Sequence, residues 1–91
     1  CYAVAKGLRM GYLPEKWAQE IRRSWQGAVE QFVTVTADGF VNLNKCCEVA
    51  GLGGKDRRDG TFAYYISEPV ISNDLKGIGA FLQACSELER L

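Results

Sequence analysis

Apolar and polar residues follow two rhythms along these 91 residues, one near every second position and one near every third or fourth. Tyr2-Ala3-Val4-Ala5 is a short apolar run that predicts a strand ending at Lys6-Gly7, with a connector over 7–13. Pro14 suits the first position of a helix. Trp17, Ile21, Trp25 and Ala28 then recur at helical spacing, with Glu15, Lys16, Glu20, Arg22 and Arg23 mostly on the other faces. Gly27 is a plausible stop for that helix. Phe32 to Thr36 alternates and is β-branched, which predicts the best strand of the chain. Asp38-Gly39 is a two-residue turn signal, and Phe40-Val41 is the return strand.

Asn42 or Asn44 is positioned to cap a short helix through Leu43, Cys46, Cys47, Val49 and Ala50, ended by Gly51. A glycine-rich charged loop is expected over 52–60. Thr61 to Ile66 reads as the second strong strand, broken by Glu68-Pro69. Ser72 or Asn73 is read as the cap of a last helix whose apolar stripe is Ile71, Leu75, Ile78, Phe81, Leu82, Cys85 and Leu88. Gly77 and Gly79 weaken that helix and suit close packing. Strands and helices thus interleave. The expected fold is α+β: one domain over 1–91, a small antiparallel sheet with helices packed on one face.

The cysteines sharpen this picture. There are four, Cys1, the adjacent pair Cys46-Cys47, and Cys85, in a chain without histidine. A chain this short buries a thin core, and small domains in oxidising surroundings are commonly stapled. No C-x-x-C is present, so a zinc site is not expected, and neither is any other metal or cofactor. A Cys46–Cys47 bridge would strain the backbone. Two pairings remain, joining Cys1 to one of the pair and Cys85 to the other in either order, with a lean towards Cys46–Cys85 and Cys1–Cys47. The missing histidine removes Ser/His/Asp and Cys/His arrangements, and the expectation is a non-enzymatic binding protein. Lys+Arg and Asp+Glu are both 11, so no nucleic-acid partner is expected from charge.

Gly51-Leu52-Gly53-Gly54-Lys55 superficially suggests a phosphate cradle. It lacks the preceding strand and the G-x-x-x-x-G-K-[ST] spacing of a P-loop. Lys55, Arg57 and Arg58 on that loop are the candidate partner contacts, because arginine forks suit carboxylates and phosphates. A carboxylate pair, Asp56 with Asp59, is formally available there. A charged, open loop is a poor place to raise a carboxyl pKa.

Two resemblances add to the residues. Thr36, then Asn44-Lys45-Cys46-Cys47-Glu48-Val49-Ala50-Gly51, and further on Asn73-Asp74-Leu75 with Phe81-Leu82-Gln83-Ala84-Cys85, give residues 32–91 the look of one family. The segment resembles the killer toxins encoded by viruses of smut fungi and the small secreted fungal effectors of similar fold. That resemblance implies an α/β sandwich with an antiparallel sheet, secretion to the extracellular space, and action by contact with a target cell and not by catalysis. The arginine forks of Arg57 and Arg58 add a protein or cell-surface target, or an anionic membrane, as the expected partner. The chain departs from the family in having Val33 and Val35 where a C-x-C is usual. Tyr2 to Gly7, with Gly11-Tyr12 and Trp17, is similar to the hybrid-binding domain ahead of eukaryotic ribonuclease H. That implies an alternative function, RNA/DNA hybrid binding through Lys6 and Trp17. The expected function is a secreted, disulfide-stapled effector or toxin-like protein.

Overall fold

The computed structural model describes residues 1–91. Four helices and two separate strand pairs follow one another: α1 (Tyr2–Arg9), α2 (Trp17–Phe32), β1 (Val33–Val35), β2 (Val41–Leu43), β3 (Cys46–Cys47), α3 (Phe62–Ser67), β4 (Val70–Ile71) and α4 (Leu75–Leu88). The mixture of helices with antiparallel strands agrees with the expected class. The single sheet does not: β1 pairs only with β2, and β3 only with β4.

Three elements change type, each for a local reason. Residues 2–5 open a helix instead of a strand. A four-residue apolar run cannot distinguish the two, and the helix lets Ala5 become fully buried. Lys6 Nζ also donates to Tyr2 Oη one turn back, at 3.1 Å. Residues 46–47 pair as a strand because Lys45 takes a left-handed backbone (φ 61°), and helical φ/ψ cannot continue through it. Asn44 is drawn into other bonds, its amide donating to Thr34 Oγ1 and its carbonyl oxygen accepting from Ser72 Oγ. Residues 62–67 form a helix because Thr61 caps it, its hydroxyl accepting from the Tyr64 amide.

Two further boundaries shift. Gly27 does not end α2: it is not among the glycines that take the left-handed backbone of a helix stop, and the helix runs on to Phe32. The cap of α4 is Asp74, whose carboxylate accepts from the Lys76 and Gly77 amides at 3.0 and 3.2 Å. Asn73, left-handed at φ 58°, instead ties the helix entry to the first hairpin. Its amide oxygen accepts from Leu43 N, and its amide nitrogen donates to Asn42 Oδ1. The predicted β1–turn–β2 hairpin is present, with Val33 opposite Leu43 and Gly39 turning at φ 90°.

α1 lies against α4, and the contact rests on small residues and one ion pair. Ala5 and Ala84 are buried, as is the Glu87 carboxylate. Arg9 meets that carboxylate with both arms of its fork, Nε at 2.6 Å and Nη2 at 2.9 Å. Trp25 of α2 stacks on Phe81 of α4 with ring centroids 4.8 Å apart, so Trp25 is a packing residue. Gly77 lets α4 approach the second strand pair: a Cβ there would lie 2.7 Å from Cys46 Sγ.

The whole is a plate, 43 × 38 × 17 Å, with a radius of gyration of 15.9 Å. A compact chain of this length has a radius near 12 Å. The accessible surface is 6835 Å², against about 5,300 Å² for a folded protein of this mass. Only Ala5, Ile21, Ala84 and Glu87 are buried, and no large side chain is fully so. Leu75 and Leu82, placed on the core stripe of α4 by periodicity, face outward.

The expected staples are absent, and all four cysteines are free thiols. Cys46 and Cys47 alternate across a strand and point to opposite faces. Cys46 lines an apolar groove with Cys1 and Gly77, while Cys85 lines a different one with Arg22 and Trp25. Neither Cys46–Cys85 nor Cys1–Cys47 is brought together. Burial pushes the Cys85 thiol up from its ordinary value, as suits a small apolar filler.

Two predictions follow from this packing. Gly77→Ala gains about 1 kcal/mol of helix propensity and loses about 1–3 kcal/mol to collision with Cys46. Denaturant titrations of Gly77→Ala, Cys46→Ala and the double variant are expected to show coupling of that size, and additive effects would refute the close approach. The second concerns acid. Arg9 holds the Glu87 carboxyl below the ordinary carboxylate range. Its folded value is the lower one, so the stabilisation is full above the unfolded value and is lost as pH falls through the folded value. Thermal melts should weaken below about pH 4, and Glu87→Gln should start lower and depend less on pH over that range.

Candidate functional site

The glycine-rich loop is more ordered than its composition suggests. Gly53 N donates to the Arg58 carbonyl at 2.7 Å, and Arg58 N donates back at 3.1 Å, closing a tight turn. Gly53, Gly54 and Arg57 all take left-handed backbone inside it. The Arg58 side chain folds over the turn: its Nε donates to the Gly51 carbonyl at 2.9 Å. A Cβ on Gly54 would meet its Nη2 at 2.9 Å. Position 54 therefore favours glycine for its left-handed backbone (φ 78°), and the absence of a Cβ leaves room for the Arg58 guanidinium to lie on it.

The loop leads into α3 through a chain of hydrogen bonds. Asp59 Oδ1 accepts from the Thr61 amide at 3.0 Å and from the Thr61 hydroxyl at 2.5 Å. The Thr61 hydroxyl in turn accepts from Tyr64 N at 3.2 Å. The Tyr64 phenol donates to the Glu68 carboxylate, one helical turn away. Between loop and helix lies a groove of about 380 Å³ walled by Ala50, Leu52, Asp59, Phe62, Tyr64 and Tyr65. Phe62 is 76% exposed and Tyr65 58% exposed, although both are large aromatic rings.

The two titratable groups with perturbed values are set differently. The Thr61 hydroxyl, helped by its amide, holds Asp59 below the usual carboxylate range, so it is an anion at neutral pH. Partial burial, and then the Glu68 carboxylate, raise the Tyr64 phenol, so it keeps its proton. The groove thus offers aromatic faces, one carboxylate and a fixed phenol. No group of three or more Cys, Asp or Glu residues is arranged to hold a metal ion.

Of the residues singled out in the sequence, Arg58 is the loop's internal brace, 3.8 Å from Asp56 as well as bonded to Gly51. Lys55 and Arg57 are exposed on the same turn. Lys6 is engaged with Tyr2, and Trp17 is half-exposed beneath Lys16. Phe62, Tyr64 and Tyr65 were hidden by the strand reading, which put the two tyrosines on opposite faces of a sheet. The signal that finds them is Asp59-Gly60-Thr61 before an apolar run, a helix-start pattern.

Comparison with known proteins bears on what this groove is for. The family described as Glycosyl Hydrolase Family 88 matches residues 1–91. Protein Atu3128 of Agrobacterium fabrum and the 24.9 kDa protein in the picA locus of Rhizobium radiobacter are each 36% identical over 92 residues. Each match takes in 94% of this chain and 40% of the relative. A solved glycoside hydrolase from family 105 of C. acetobutylicum ATCC 824 is 56% identical and superimposes with a TM-score of 0.94. It covers 99% of this chain, which spans 25% of it. The chain therefore spans less than half the length of the proteins it matches.

These matches overturn the toxin and effector resemblance, the hybrid-binding alternative and the expectation of a non-enzyme. Missing histidine excludes triads, but glycoside hydrolysis runs on carboxylates, and this chain has 11 acidic residues. The short motifs around Cys46-Cys47 and Phe81 to Cys85 carried the toxin resemblance. In the structure the first is a two-residue strand and the second is helix packing.

Thr61→Ala removes both the cap of α3 and the clamp on Asp59. It is expected to cost about 1 kcal/mol and to move the Asp59 carboxyl up towards its ordinary value. Carboxyl carbon shifts followed by NMR through a pH titration measure the second effect; an unmoved Asp59 would refute the clamp.

Proposed function

Because the chain belongs to glycosyl hydrolase family 88, we propose that it supplies one wall of the saccharide-binding cleft of a glycoside hydrolase, of the unsaturated rhamnogalacturonyl hydrolase kind. In this reading the plate is one segment of a larger α/α toroid domain. The observation that carries the reading is the groove at 51–65. Exposed aromatic rings beside a single fixed carboxylate are the furniture of sugar recognition, the rings covering C–H faces while the carboxylate takes hydroxyl protons.

The electrostatics argue for binding rather than proton donation by this segment. A glycosidase general acid needs a raised pKa, and Asp59 is held low. Asp59 is accordingly assigned to orienting the substrate. Lys55 and Arg57, exposed and free of side-chain bonds, are assigned to the carboxylate of an acidic sugar unit.

The test is steady-state hydrolysis of an unsaturated rhamnogalacturonyl disaccharide by the intact protein, measured as released reducing sugar. Phe62→Ala and Tyr65→Ala are expected to lower kcat/KM about tenfold, chiefly through KM, as for lost substrate contacts. Circular dichroism and melting of each variant, run beside the kinetics, separate a lost substrate contact from lost packing. Unchanged kinetics in both variants would remove the groove from the cleft.

A further inference from the structure

We draw no further inference here: the strongest candidate, the apolar groove of about 410 Å³ lined by Tyr2 of α1, Trp25 of α2, Cys46 of β3 and Phe81 of α4, is an unpartnered face, and nothing in the structure shows what covers it.

Discussion

The bidentate pair between Arg9 and Glu87 holds residues 78 positions apart, and the rest of the arrangement depends on it. A carboxylate buried at an interface between helices is tolerable only when paired and hydrogen-bonded, and a guanidinium fork meets that demand at both oxygens. The pair fixes the register of α1 on α4, so that Ala5 and Ala84 can be buried together at that seam. With α4 fixed, its capped start is also fixed. From there the Asn73–Leu43–Asn42 bonds and the Ser72–Asn44–Thr34 bonds hold the first hairpin to the entry of α4.

The groove is held on the opposite principle. Nothing in it is anchored by burial; it is shaped by turn geometry and short hydrogen-bonded links. Gly53, Gly54 and Arg57 bend the chain, Arg58 braces it, and Asp59 and Thr61 start a helix of only six residues. This economy leaves the aromatic faces free. A ring packed in a core would have its faces used; Phe62 and Tyr65 keep theirs because α3 is too short to dock by an apolar stripe.

Much of the helical content was legible from residue order. The spacing of Trp17, Ile21 and Trp25 marks α2, Asp38-Gly39 marks the hairpin, and the stripe from Ile78 to Leu88 marks α4. What misled was of two kinds. Short runs such as Tyr2 to Ala5 and Thr61 to Ile66 satisfy both periods, and a burial or a cap decides between them. The other kind was global. An even cysteine count and a thin core suggest staples only if the segment must stand alone. Leu75 and Leu82 were placed inward on the same assumption. The groove itself was invisible, since its walls come from residues assigned to a loop and to two faces of a strand that does not form.

The plate's thinness changes what exposure means here. In a self-contained domain, an exposed leucine or valine tolerates replacement and an interior one does not. Here Val35, Val41, Leu75 and Leu82 lie open on a slab 17 Å thick, too thin to hide them on either side. Apolar area on that scale is stable only when covered. Solvent exposure measured on this segment is therefore a map of adhesion rather than of tolerance. Its conspicuous outward residues are the ones whose loss should be felt as a core loss, while the polar outward ones, such as Glu15 and Arg23, keep the usual freedom of a surface.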